Sequence, residues 1–253
     1  MKAMIFAAGL GTRLRPLTDN LPKALLEING RAMLEITISR LRSFGVGEVI
    51  INVFHFADMI ESYVAANNNF GLRIEISREE TLLDTGGGLK KAAHFFLTDS
   101  AQDSRGDLSP GDESFIIHNV DVLSTIDLAR MMQFHNQNKA FATLAVQERK
   151  TSRYLLFDDE LQLCGRRLGN NPPELVGSHR PTHALAFSGV HIVSPRLLPM
   201  LSEDGAFSII SSYMRLAAEG EKILAFRADE YYWRDLGKPE SIAQAAEDLK
   251  QRS

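Results

Sequence analysis

The chain has 253 residues, 44% hydrophobic and 24% charged, with 28 Lys and Arg against 32 Asp and Glu for a formal charge of −4. Such a chain buries a sizeable core without staples; the balance offers no basic excess for nucleic acid, and the single Cys164 excludes a disulfide framework or a multi-cysteine zinc site. No apolar run approaches the ~20 residues of a membrane span, and no apolar leader opens the chain, so a cytoplasmic protein without membrane or nucleic-acid partners is expected.

In chain order, Lys2 to Ala8 reads as a short buried strand ending at Gly9. Leu34, Ile38 and Leu41 recur at helical spacing between Arg31 and Phe44, and Gly45 and Gly47 end that run. Glu48 to Phe54 is short and β-branched, a strand; a helix carrying Met59, Ile60, Tyr63 and Val64 follows, then a strand at Leu72 to Ile76. Gly86 to Gly88 opens a helix, and Phe115 to Val122 is another strand. This alternation predicts an α/β fold with a parallel sheet and helices on both faces.

The second half changes texture. Phe141 to Val146, Tyr154 to Phe157, Leu161 to Leu163 and His183 to Val193 are strand-like, with helices returning at about Ser208 to Ala218 and Glu240 to Lys250. A mixed half with antiparallel strands is expected, within a single domain over 1–253 divided into halves 1–125 and 126–253. Asp99 to Ser114 reads as a solvated acidic loop, and it alone carries the net charge of −4.

Chemistry gathers at the first strand's end. Ala8-Gly9-Leu10-Gly11-Thr12-Arg13-Leu14-Arg15-Pro16, followed by Pro22-Lys23, places three cations around a glycine-rich turn. Bare backbone N–H groups approach a phosphate closely, a guanidinium matches phosphate oxygens in two-point geometry, and an ammonium acts as a point charge. A dinucleotide fingerprint needs glycine where Leu14 stands, and no Gly-Lys-Ser/Thr P-loop is present. Two aspartates, Asp121 and Asp235, each follow a strand-like run; carboxylates so placed can share one divalent cation, whereas either alone reads sooner as a turn residue or helix cap. His118 is expected in the core, on the face opposite Asn119.

The glycine loop with Pro22-Lys23 resembles the signature of sugar-1-phosphate nucleotidyltransferases, and the likeness extends to Thr85 to Gly88, Asn119 to Asp121, Ser188-Gly189 and Asp235-Leu236-Gly237. The resemblance implies a Rossmann-like fold with a mixed, mainly parallel sheet. It also implies an Mg2+-dependent transfer between an NTP and a sugar 1-phosphate. Arg13, Lys23 and Asp121 would be catalytic, with Arg13 on the β- and γ-phosphates and Lys23 on the α-phosphate. Ala8, Gly9, Gly11, Thr12, Glu79, Gly86, Gly87 and Asn119 would line the nucleotide, Gly189 the sugar, and Asp121 and Asp235 the metal. Gly86 to Gly88 can equally serve to let a helix N-terminus approach a strand. Val120 departs from the family's usual Asn-Gly-Asp, and no Glu-Lys-Pro follows the middle strands. The pattern is similar to compact N-acetylmuramate-1-phosphate uridylyltransferases more than to mannose-1-phosphate guanylyltransferases. A silent sugar-nucleotide sensor should have lost Arg13, Lys23 or an aspartate, and a nicotinamide oxidoreductase is opposed by Leu14 and the arginines.

Overall fold

The computed structural model describes residues 1–97, 113–177 and 180–252, so the acidic stretch from Asp99 lies outside the described residues except for Glu113 and Ser114. The fold is a Rossmann-like arrangement of a mixed sheet with helices, as the family resemblance implies. Two compact units are present: Met1–Leu82, His118–Thr125 and Tyr232–Ser253 in the first, Leu83–Ile117 and Ile126–Tyr231 in the second. They interleave along the chain instead of following a division at residue 125. The reason is a strand pair, because the chain's late segment returns to bond with residues just after 121.

In the first unit, β1 (Lys2–Phe6), β4 (Glu48–Val53) and β5 (Arg73–Arg78) are parallel, with Ile5 beside Ile51 and Ile51 beside Ile76. Parallel neighbours require crossovers: α1 (Met33–Ser43) links β1 to β4, and α2 (Ala57–Ala66) links β4 to β5. Val49, Ile50, Ile51 and Val53 are wholly buried, each stabilising the fold by about 1.5–3 kcal/mol. β2 (Glu27–Ile28) and β3 (Arg31–Ala32) form a small ribbon around Asn29-Gly30, both at positive φ as a tight hairpin turn demands. After the end of β6 (Phe115–Asn119), β7 (Val122–Ser124) pairs antiparallel with β14 (Trp233–Asp235). Helix α7 (Pro239–Arg252) is tied to β14 through Asp248, which accepts from the Tyr232 hydroxyl at 2.6 Å and from Arg234 Nη2 at 2.7 Å.

The second unit holds α3 (Asp84–Lys91), α4 (Ala93–Phe96), α5 (Leu128–Asn138), β8 (Ala142–Gln147), β9 (Arg153–Phe157), β10 (Leu163–Leu168), β11 (Glu174–Leu175), β12 (His183–Val193), α6 (Ile209–Ala218) and β13 (Ile223–Arg227). Its strands run antiparallel in the order β11-β10-β9-β12-β8, and β13 closes the set parallel to β8. This is the mixed second half expected from the sequence. Two glycines at the start of α3 have a packing reason. A Cβ on Gly86 would lie 2.2 Å from the Phe207 ring, and one on Gly87 would lie 2.4 Å from the Gly205 carbonyl oxygen. Gly86 N–H also donates to Phe207 O at 2.8 Å.

Two predictions follow from burial in this unit. Gly86→Ala forces overpacking against Phe207 and should destabilise the protein by roughly 1–3 kcal/mol; an unchanged urea midpoint would contradict the packing. His135 is buried beside the Thr143 hydroxyl at 2.9 Å, and burial, followed by the Arg196 charge, lowers its pKa to about 4. The unfolded chain takes up this proton near pH 6.5 but the folded chain does not, so stability is lost as pH falls from 6.5 towards 4. His135 should contribute about 2 kcal/mol of that loss at pH 5, and urea unfolding of His135→Gln should show a correspondingly shallower pH slope. An identical slope in the variant would contradict the assignment.

Candidate active site

The glycine loop is shaped by a few short-range contacts. Gly11 sits at φ 65°, where a Cβ would come within 2.9 Å of Thr18 Cγ2 and 3.3 Å of Lys23 Cβ. The Thr18 hydroxyl donates to Gly11 O at 2.9 Å and Leu14 N–H donates to the same oxygen at 2.8 Å, closing a one-turn helix over Thr12–Leu14. Leu14 is fully buried and anchors this turn, while Thr12 and Arg13, just before it, are exposed. Ala8 is buried, and a Cβ on Gly9 would meet nothing within 4 Å. Arg15 is exposed and pairs with Asp19 at 3.4 Å, a surface contact of little energetic weight.

Lys23 behaves differently. It begins a second short turn, Lys23–Leu25, is buried, and forms an ion pair with Asp121. Asp121 lies between β6 and β7, where Val120 N–H donates to Phe6 O at 3.1 Å and tucks the Val120 side chain into the core. Valine in place of the usual glycine is therefore accommodated by the protein interior. Asp235 ends β14 opposite Val122, and Leu236 N–H donates to Asp121 O at 2.8 Å, which makes the two aspartates backbone neighbours. Arg13 reaches the same place: one point beside Gly237 lies 2.6 Å from Asp235 Oδ1 and 2.7 Å from Arg13 Nη2. Asn119 is half-buried at the end of β6.

His118 is in the core, as its alternation with Asn119 suggests. Its Nδ1–H donates to Asn119 O at 2.8 Å. Burial, then the Arg40 charge, lowers its pKa to about 4, so the imidazole is neutral at physiological pH and adds no charge to the site.

Glu79 is a buried carboxylate at the end of β5. Asn52 Nδ2 donates to Glu79 Oε1 at 2.7 Å, and Asn52 Oδ1 accepts from Ala7 N–H at 2.9 Å. One amide thus ties Glu79 to the start of the glycine loop. Sequence reasoning missed Asn52, although a lone polar residue inside Glu48 to Phe54 was a usable signal. It also missed Gly237 as more than part of a motif.

The first unit contains Ala8, Gly9, Gly11, Thr12, Arg13, Lys23, Glu79, Asn119, Asp121 and Asp235. Gly86, Gly87 and Gly189 belong to the second unit. Gly189 adopts φ 73° within β12, where the register against β8 shifts between Phe187 and His191, and Arg149 Nη2 donates to Phe187 O at 2.6 Å.

The donor set fits a divalent cation. Asp121 and Asp235, neighbours through the backbone, offer hard carboxylate oxygens suited to such an ion, whose remaining positions would be filled by phosphates and water.

Comparison with known proteins gives the family. Residues 2–161 match the nucleotidyl transferase family. The chain is 31% identical over 248 residues to the N-acetylmuramate alpha-1-phosphate uridylyltransferase of Caulobacter vibrioides, covering 94% of this chain and 93% of that protein. It is 28% identical over 251 residues to the mannose-1-phosphate guanylyltransferase of Mycobacterium tuberculosis, covering 98% of this chain and 64% of that protein. The crystal structure of HddC from Yersinia pseudotuberculosis complexed with GMP-PN superposes with a TM-score of 0.75 at 22% identity, covering 98% of this chain and 99% of that one. Enzymes of this group generally use a divalent metal. With the family match over residues 2–161 and a 31% identical relative covered over nearly its full length, the chain belongs to the nucleotidyl transferase family, among its sugar-1-phosphate nucleotidyltransferase enzymes.

Proposed function

We propose that the protein makes a UDP-sugar and pyrophosphate from UTP and an N-acetylated sugar 1-phosphate, such as N-acetylmuramate 1-phosphate, with Mg2+. The single observation that carries the chemistry is the convergence of Arg13 and Lys23 on the Asp121–Asp235 pair. The choice of uridylyl transfer is supported by the 31% identical Caulobacter vibrioides relative, which this chain matches over nearly its full length. Guanylyl transfer to mannose 1-phosphate is the second reading, supported by the Mycobacterium tuberculosis relative.

No protein nucleophile is needed. An oxygen of the sugar phosphate, ionised at neutral pH, attacks the α-phosphorus in line. The bond from that phosphorus to the oxygen bridging the β-phosphate breaks, and pyrophosphate leaves with the bonding pair. The chain's task is positioning and neutralisation of charge on the phosphates. Lys23 leaves Asp121 for the α-phosphate, and Arg13 takes the β- and γ-phosphates. Gly9 and Gly11, with Ala8, Thr12 and Asn119, line the nucleotide. Asp121 and Asp235 would hold the Mg2+, which would supply Lewis-acid neutralisation of phosphate oxygens. Glu79, oriented by Asn52, accepts an N–H of the base; Gly86 and Gly87 are assigned to the nucleotide and Gly189 to the sugar on family resemblance.

Pyrophosphate release with a panel of NTPs and sugar 1-phosphates tests the reading. UTP with an N-acetylated sugar 1-phosphate should give release that stops when EDTA removes the metal. GTP with mannose 1-phosphate as the sole productive pair would establish the second reading, and silence with every pair would indicate a sugar-nucleotide sensor. Lys23→Ala and Asp121→Ala should each lower kcat by about 10²-fold or more, as loss of transition-state charge stabilisation does; near-normal turnover in either would remove that residue from the mechanism.

A further inference from the structure

Gly237 follows Asp235 by two residues, and its N–H donates to Asp235 Oδ1 at 2.8 Å. Its backbone is outside the left-handed region that favours glycine, so conformation alone would admit alanine. Space would not. A Cβ there would lie 2.6 Å from Asp235 Oδ1, 2.7 Å from Arg13 Nη2 and 3.1 Å from Arg13 Cζ. All three atoms are at the far ends of side chains, and no backbone atom is among them. A methyl group would therefore displace the guanidinium, the carboxylate or both, and leave the strand and the following helix where they are.

We infer that Gly237 is a positioning residue for the reaction: its missing side chain lets the phosphate-binding cation Arg13 and the metal-binding carboxylate Asp235 share one small volume. The inference rests on the reaction proposed above and adds the device that sets the spacing of two of its charged groups. The empty volume at Gly237 is flanked by the Arg13 guanidinium and by Asp235 Oδ1, so a methyl group there would move one or the other. In the proposed reaction Arg13 would meet the terminal phosphates and Asp235 would hold the metal, at the spacing that the volume beside Gly237 leaves them. Alignment of this kind is sensitive to small displacements, and a shift of about 1 Å can lower rates by up to about 10²-fold.

Gly237→Ala is the test, read against wild type by thermal melting, NTP kinetics and a double-mutant cycle with Arg13→Ala. The variant should melt within about 3 °C of wild type, since only side-chain ends must move. Its kcat/KM for the NTP should fall about tenfold or more. In the Arg13→Ala background the same substitution should have much less effect, a non-additivity that a merely structural glycine would not show. Wild-type kcat/KM in Gly237→Ala, an undiminished effect in the Arg13→Ala background, or a collapsed melting temperature would each overturn the inference. A wild-type protein inactive with every substrate pair would overturn the reaction instead. The spacing claim would then be judged by a crystal structure of Gly237→Ala, in which unmoved Arg13 and Asp235 side chains would refute it.

Discussion

Lys23 and Asp121 are 98 residues apart in sequence and meet as a largely buried ion pair. Withdrawing two charges from water is unfavourable, and such pairs are often no better for stability than apolar side chains of similar volume. The pair is better understood through the charges it keeps in place. An ammonium and a carboxylate are held together at the end of the central strands, each ready to exchange its partner for a more highly charged one. In the reaction proposed above, triphosphate and a divalent cation would be such partners, and together they would replace one ion pair with two separate neutralisations.

The rest of the first unit maintains this arrangement. Gly11 turns the loop back so that Thr18 and Lys23 pack beneath it, and Leu14 fastens the turn to the core. The pairing of β7 with β14 brings Asp235 beside Asp121 from far along the chain, and Asp248 on α7 grips β14 through Tyr232 and Arg234. Asp248 is held low, at about 2, first by the Tyr232 hydrogen bond, then by Gln244 and by Arg234, so it stays an anion under all ordinary conditions. The C-terminal helix thus contributes to the site indirectly, by fixing the strand that presents its second carboxylate. Asn52 plays the matching part on the other side, joining Glu79 to the first residue of the loop.

Much of this was legible in the sequence because it depends on local pattern. The β-branched run at Glu48 to Val53, the helical spacing of Leu34, Ile38 and Leu41, and the glycine loop with its cations all carry their meaning within a dozen residues. The parts that were not legible depend on distance in space. Nothing near Gly237 in sequence reveals that Arg13 lies against it. Val120 looked like a departure beside the nucleotide, but its side chain turns inward, which only the bond to Phe6 makes plain. The interleaving of the two units follows from the β7–β14 pair, whose three-residue strands are too short to announce their partners. Gly86 and Gly87 stood open to two readings; the close approach of Gly205 and Phe207 supplies a packing reason that holds whatever they contact in a complex.

The central claim is that the Lys23–Asp121 pair is the ground state of a phosphate- and metal-binding centre. A crystal structure with Mg2+ and a non-hydrolysable UTP analogue addresses it most directly. The account predicts Lys23 Nζ on an α-phosphate oxygen, Arg13 on the β- and γ-phosphates, and the metal between Asp121 and Asp235. A complex in which Lys23 still pairs with Asp121 while the triphosphate is held elsewhere would contradict it.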